Sequence, residues 1–165
     1  MNEGPGSETA VPIRLPGVIL GIGLGGFADG IFLHQVLQWH HMFSSVYSVD
    51  DVPGLRMNTL GDGLFHTATW LAVLLGLGLL YGRVSHGRRK VWGSGVLWSW
   101  ILFGWGAFNL AEGLVDHQIL KIHHVRPGPN ASAWDMGFLA SGVILMALGW
   151  LLAKRASPVP LSDER

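Results

Sequence analysis

The 165-residue chain carries only 13% charged residues and has a mean hydropathy of +0.37, whereas soluble domains carry about twice that charged fraction. Its 11 basic residues balance 11 acidic ones, which argues against a nucleic-acid partner. Cysteine is absent, and this excludes disulfides, thiolate metal sites, iron–sulfur clusters and cysteine nucleophiles. The eight tryptophans and 24 glycines favour a membrane protein, because both residues are common in membrane helices.

Four apolar stretches approach the roughly 20 residues that are needed to cross a bilayer. In chain order they are residues 15–39, 60–81, 91–117 and 134–153. The sequence therefore predicts an all-α fold, an integral membrane four-helix bundle. We expect the bundle to occupy residues 14–155, with residues 1–13 and 156–165 as disordered cytoplasmic tails.

Every stretch is interrupted by at least one acidic residue. These residues are Asp29, Asp62, Glu112, Asp116 and Asp135. Charges at such depth are costly and usually face the interior of a helix bundle. The acids therefore mark the inward faces of the predicted helices.

The first and third stretches end in the same motif. Residues 29–41 read DGIFLHQVLQWHH and residues 112–124 read EGLVDHQILKIHH, at a constant offset of 83. The following stretches also begin alike, because the segment Asp62 to Phe65 resembles the segment Asp135 to Phe138. We interpret the chain as two tandem helical hairpins, residues 14–83 and 91–155, related by a pseudo-twofold axis along the membrane normal.

The basic residues predict the orientation of the four helices. If both termini share one side, that side holds eight basic residues, four of them in the 83–90 loop, and the other side holds three, namely Arg56, Lys121 and Arg126. Basic residues collect on the cytoplasmic side of membrane proteins. Both termini are therefore predicted to be cytoplasmic, which puts seven of the eight histidines, all except His86, on the outer side.

Helical spacing selects the candidate metal ligands among these histidines. Asp62 and His66 lie four residues apart, where two side chains of one helix meet. His34 and His41 lie seven residues apart, roughly 10 Å along a helix, so they can share one ion only if the helix breaks between them. The predicted ligands are His34, His66 and His117, with Asp62 as fourth ligand or orienting group.

The remaining polar residues of the outer half are assigned to two further groups. A second shell, second metal site or proton path would use Asp29, Glu112, Asp116 and Asp135. An outer histidine ring would consist of His40, His41, His123 and His124. Imidazole with one or two carboxylates suits Cu(II), zinc or non-haem iron, and copper is favoured because the site faces outward.

Three alternatives to a metal site stay open at this point. His34 and His117 could be the axial ligands of a b-type haem in an electron-transfer protein. The acids Asp29, Asp62, Glu112 and Asp135 could form a proton or ion pathway. Membrane histidines also serve as interhelical hydrogen-bonding residues, and the paired histidines could stabilise helix C-termini.

The two histidine motifs, the Asp-Gly-x-x-His segment at Asp62 and the four-span length resemble a family of bacterial predicted membrane proteins of unknown function. The resemblance covers residues 14–155 and implies a multi-pass protein of the inner membrane, but no activity. Asp62 and His66 are also similar to the Asp-x-x-x-His motif of copper membrane monooxygenases, although Leu79 stands where those enzymes have a further histidine.

The sequence as a whole predicts an integral membrane metalloprotein with a His/carboxylate transition-metal site on the extracytoplasmic side. Its function would be metal-dependent oxidation or copper handling. The expected partners are the lipid bilayer and either another membrane metalloenzyme or a second copy of the chain.

The predicted orientation can be tested with reporter fusions at residue 87 and after residue 155. Because the basic residues cluster there, both fusions should report a cytoplasmic location. An external location of either reporter would reverse the placement of every histidine.

Overall fold

The computed structural model describes residues 12–85 and 93–156, and all regular elements in these ranges are helices. Helix α1 spans Arg14–Ala28, α2 spans Val52–Ser85, α3 spans Ser94–Glu112 and α4 spans Ala131–Arg155. Two π-helical segments extend the first and third helices, π1 over Asp29–Val36 and π2 over Gly113–Ile119. The predicted all-helical architecture with four helices is confirmed.

Three segments are long and apolar enough to cross a membrane, namely Arg14–Val36, Val52–Ser85 and Ala131–Arg155. Helix α3 is not among these segments. It packs between α1 and α4. Large apolar side chains of α2 and α4 face outward, including Leu64, Leu75 and Leu148. Such a surface is unfavourable in water, so these faces fit a lipid environment.

Helix α2 begins earlier than the sequence predicted, at Val52 instead of near residue 60. The Asp51 carboxylate accepts a hydrogen bond of 2.7 Å from the Gly54 N–H. This is the geometry of an N-cap, which satisfies one of the amide groups left unpaired at a helix start. The end of the segment between the first two predicted helices is therefore itself helical.

The centre of the bundle is the crossing of α1 and α3. A Cβ atom on Gly21 would collide with the carbonyl group of Ile101, and one on Gly104 would collide with that of Val18. Glycine at these two positions lets the helix backbones touch, as in other membrane helix pairs. Helix α2 packs on the outside of α1, and α4 packs on the outside of α3.

Both π segments end in the same backbone turn. The Leu37 N–H bonds to the Phe32 carbonyl at 2.8 Å, and the Leu120 N–H bonds to the Val115 carbonyl at 2.7 Å. The next residue of each segment has a positive φ, 50° at Gln38 and 51° at Lys121. A residue in this left-handed region terminates a helix, so the chain reverses directly after π1 and π2.

The loops after these turns fold back over the bundle. The Ser45 N–H of the first loop donates to the Ile122 carbonyl of the second at 2.9 Å. Asn58 of α2 is fully buried, accepts from the Phe43 N–H at 2.9 Å and donates to the Tyr47 carbonyl at 3.0 Å. These bonds close the end of the bundle at which π1, π2 and the first turns of α2 and α4 meet, here called the histidine end.

Several sequence predictions fall on residues that the structure does not describe. They concern His86 with the basic residues at 88–90, and most of the two predicted tails. The membrane orientation and the tail assignments therefore stay predictions.

The glycine contact between α1 and α3 predicts a difference between two matched substitutions. Gly21→Ala should destabilise the protein by about 1–3 kcal/mol, because an added methyl group overpacks the crossing. Gly78→Ala should be neutral or stabilise by up to about 1 kcal/mol, since no atom lies within 4 Å of a Cβ at Gly78. Thermal unfolding of both variants in one detergent measures the difference, and equal midpoints would contradict the crossing.

Candidate metal centre

The histidine end contains an unusual concentration of buried ionisable side chains. Each of its eight members exposes at most 7% of its surface, and they are Asp29, His34, His40, Asp62, Glu112, His117, His123 and Asp135. Burial of this many charged or polar groups within a membrane helix bundle is costly unless they are paired or bind an ion.

The backbone turns after π1 and π2 bring distant histidines together. In a continuous helix His40 would lie about 9 Å beyond His34, but the reversal at Gln38 places their ring centroids 4.4 Å apart. The same turn at Lys121 brings His117 and His123 to 4.8 Å. The helix break that the sequence left as a condition is therefore present.

Asp62 orients two histidines of the first half. Its Oδ1 accepts from His34 Nδ1 at 2.7 Å and from the Met42 N–H at 2.8 Å, while its Oδ2 accepts from His41 Nδ1 at 2.6 Å. With these donors on its oxygens, Asp62 acts as an orienting group and leaves the Nε2 atom of His34 facing the interior.

Asp135 makes the corresponding contacts in the second half. Its Oδ2 accepts from His124 Nδ1 at 2.7 Å, and its Oδ1 accepts from the Val125 N–H at 2.9 Å. His117 Nδ1 lies 3.6 Å from the same Oδ1. These residues occupy matching motif positions, so Asp62 and Asp135 make similar contacts, with a longer separation between Asp135 and His117.

The other two buried histidines cross between the halves. His40 Nδ1 donates to the Val125 carbonyl at 2.8 Å, and His123 Nδ1 donates to the Met42 carbonyl at 3.0 Å. Their rings stack with centroids 4.5 Å apart and planes 7° from parallel. Because a carbonyl group only accepts, each Nδ1 carries a proton. The Nε2 of His40 has no partner among the described residues, whereas the Nε2 of His123 lies 3.0 Å from Glu112 Oε1.

His40, in the loop after π1, is held in the neutral form that a metal ligand requires. Burial is the main reason that its pKa falls to about 3, and the neighbouring imidazoles of His123 and His34 contribute to the same fall. Since the unperturbed imidazole pKa is about 6.5, His40 is neutral at physiological pH.

Nitrogen and carboxylate atoms converge in the buried interior. His34 Nε2 lies 3.1 Å from Asp29 Oδ2, and Glu112 Oε1 lies 3.0 Å from both His117 Nε2 and His123 Nε2. His34, His117 and His123 therefore face an acceptor with both ring nitrogens. This arrangement requires either imidazolium ions or cations between the Nε2 atoms and the carboxylates.

Several of these buried atoms have no hydrogen-bond partner in the described part of the chain. They are both carboxylate oxygens of Asp29, Oε2 of Glu112, both ring nitrogens of His117, and the Nε2 atoms of His34 and His40. Buried polar atoms are normally paired, and a metal ion would satisfy the Nε2 and carboxylate atoms together.

Some of the site residues predicted from the sequence lie in the buried cluster, and others lie outside it. His34 and His117 lie in the buried cluster, while Asp116 is half-buried on π2 and outside it. His66 donates from Nδ1 to the Asp62 backbone carbonyl at 2.8 Å and also lies outside the cluster. Its assignment as a ligand rests on the sequence alone.

The predicted outer histidine ring divides into two pairs. His41 and His124 are partly exposed and pair with the orienting aspartates, whereas His40 and His123 expose only 2% and 0% of their surface. Sequence reasoning did not place these two in the interior. The feature that could have indicated their burial was their repeated position in the sequence, six residues after His34 and His117.

Residues 16–156 match a protein family described as Predicted membrane protein (DUF2243). The chain belongs to this family. The match covers nearly the same residues as the resemblance inferred from the histidine motifs, and the family description states no activity. No curated protein and no solved structure matches the chain significantly.

Two cavities border the buried cluster of this DUF2243 protein. A cavity of about 490 Å³ at the histidine end is lined by residues that include His40, His41 and His124. A second cavity of about 200 Å³ lies at the side of the bundle, where residues such as Leu33 and Trp105 surround Asp29.

The matching contacts of Asp62 and Asp135 predict matching effects on metal binding. Asp62→Asn and Asp135→Asn should each weaken metal affinity by about 10–100-fold, as is typical when an orienting partner of a histidine ligand is lost. Asp50→Asn, an exposed residue of the first loop, is the charge-matched control and should change nothing. Competition with a metal chelator measures all three, and a large effect at Asp62 alone would contradict the equivalence.

Proposed function

We propose that this protein is an integral membrane metalloprotein with a resident transition-metal centre on the extracytoplasmic side, used for metal-dependent oxidation. One observation carries the proposal. Four buried imidazoles face acceptors with their Nδ1 atoms, and their Nε2 atoms are left for the interior that they share with two buried carboxylates. The residues are His34, His40, His117, His123, Asp29 and Glu112.

The separations of the donor atoms fit metal coordination. Ligand bonds of about 2.0–2.2 Å put neighbouring ligand atoms roughly 3 Å apart. The contacts of Asp29 with His34, and of Glu112 with His117 and His123, are 3.0–3.1 Å. The Nδ1 hydrogen bonds of His34, His40 and His123 supply the second contact that fixes the tautomer of a histidine ligand.

The donor set favours two metals. Imidazole nitrogen is the majority donor and suits copper, which stays the predicted metal, while two carboxylates in the same space also suit non-haem iron. The mixed set argues against magnesium or calcium, which prefer oxygen ligands throughout.

Burial favours a resident cofactor over copper handling. A site that passes metal to a partner needs ligands that the partner can reach, but His34, His117 and His123 are at most 1% exposed. The apolar side cavity at Asp29 would admit a small apolar substrate from the lipid. These features support oxidation as the function, with copper handling as the alternative.

Two predictions about the whole chain also have support. Several hydrogen bonds of the first half recur in the second half, and those that end π1 and π2 do so at the offset of 83, as for Leu37 and Leu120, which supports the tandem duplication. The eight-to-three distribution of basic residues supports an extracytoplasmic histidine end.

A second candidate function is a proton pathway through a metal-free network. The observation in its favour is that three histidines face acceptors with both nitrogens, as imidazolium ions would. A b-type haem is less well supported, because the rings of His40 and His123 each contact both His34 and His117 and fill the space between them.

Elemental analysis of protein purified in detergent without chelator tests the proposal. The wild type should contain at least about one transition-metal ion per chain, and a His40→Ala/His123→Ala variant should lose most of it. His66→Ala should retain the metal, because His66 lies outside the cluster.

Three results would decide against the proposal. A folded wild type without metal would favour the proton pathway, and a strong Soret band would favour haem. Metal that survives replacement of all four buried histidines, with loss on His66→Ala, would return the ligand set to the sequence-derived one.

A further inference from the structure

We infer that the centre holds two metal ions, one for each half of the chain. The inference rests on the proposed metal centre and adds its composition. The first ion would be bound by His34 and His40, with Asp29 beside His34, and the second by Glu112, His117 and His123.

The spacing of the ligand atoms separates two sites. Within the described residues, ligand atoms that all lie within 4.8 Å of one another form two groups, one with His34, His40 and His123, the other with Glu112, His117 and His123. Bonds of about 2.1 Å limit the ligands of one ion to roughly 4.2 Å, even when they are opposite each other. Neither group contains both His34 and His117, so these two histidines serve different ions.

The second half supplies a complete ligand set, and the first half supplies two imidazoles with the Asp29 carboxylate 3.1 Å from the imidazole of His34. Two imidazoles and one carboxylate are the protein ligands of many catalytic zinc and non-haem iron sites, which keep further positions open. Glu112 contacts both His117 and His123 at 3.0 Å, which assigns His123 to the second ion. The unpaired Nε2 of His40 is then left for the first ion.

The buried carboxylates favour a cation in each half. Four carboxylates of the centre are at most 7% exposed, namely Asp29, Asp62, Glu112 and Asp135. Asp62 and Asp135 pair with the partly exposed His41 and His124, whereas Asp29 and Glu112 each lie against the proposed ligands of a different ion. Uncompensated charge is costly in a buried site.

The stacked rings of His40 and His123 keep the two ions adjacent. Their centroids are 4.5 Å apart, and each ring belongs to a different ligand set. The ions would therefore lie on the order of 4 Å apart, as in other two-metal sites. At that distance two paramagnetic ions interact magnetically, which gives the inference a spectroscopic signature.

The two sites differ in how many of their ligands are already in contact, so they should bind metal one after the other. Asp29 reaches only His34, whereas Glu112, with one more methylene group, reaches both histidines of its set. The second-half site is thus more nearly preformed, and preformed sites bind more tightly because less ordering is needed. The first equivalent of metal should occupy the Glu112 site.

The test is a titration of metal-free, full-length protein with Cu(II), followed by paramagnetic resonance and elemental analysis. The signal of isolated Cu(II) should grow up to one equivalent and then fall towards two equivalents as the ions couple. Bound copper should reach two per chain. This arm needs no variant, so it does not depend on the folding of any mutant.

Matched variants of the two halves assign the sites. Asp29→Ala/His34→Ala and Glu112→Ala/His117→Ala should each bind one copper per chain and keep the isolated signal at saturation. Only the second variant should lose the tighter site, by about 10-fold or more in affinity. His66→Ala should behave as the wild type.

The outcomes separate this inference from the proposed function. Wild-type protein that binds no metal overturns both. One copper per chain, with an isolated signal at saturation, overturns the two-ion centre and leaves the metalloprotein intact. Two coppers that remain in both half-site variants place the metal elsewhere and also overturn the inference.

Discussion

The crossed hydrogen bonds of His40 and His123 are the constraint on which the histidine end depends. Each imidazole leaves its own half and donates to a backbone carbonyl of the other, Val125 or Met42. Two nitrogens are thereby fixed as donors and two are left facing the interior. The same bonds hold both loops over the helix ends. They therefore determine the packing of the loops, the tautomers of the two imidazoles and the burial of both rings. Loss of the His40 bond would leave the buried Val125 carbonyl unpaired, which costs about 1–3 kcal/mol.

That constraint is possible only because both helices stop being α-helical before the histidines. The π segments and the left-handed residues Gln38 and Lys121 reverse the chain within a few residues. A non-glycine residue in this conformation costs about 1–2 kcal/mol. Such strain is usually found next to functional sites. Here it brings together imidazoles that a regular helix would hold about 9 Å apart.

The sequence predicted more of the fold than of the site. Repeated acids and histidines identified the helices, their common end and the paired aspartates, because charge within an apolar stretch is a strong signal. The burial of His40 and His123 was not predicted. It depends on the turns at Gln38 and Lys121, and neither position has the glycine that usually indicates such a turn in a sequence. The early start of α2 was missed because the cap at Asp51 lies in a stretch that reads as a polar loop.

Residue spacing alone did not predict the contacts of His66. Its position four residues after Asp62 made it the obvious partner of that carboxylate, but the Asp62 side chain is engaged by π1 and by the first loop. His66 instead bonds to the Asp62 backbone, with Gly30 against its ring. The residue has no histidine counterpart in the second half, where Leu139 stands. The buried centre therefore consists of residues that the two halves share, and the unmatched histidine lies beside it.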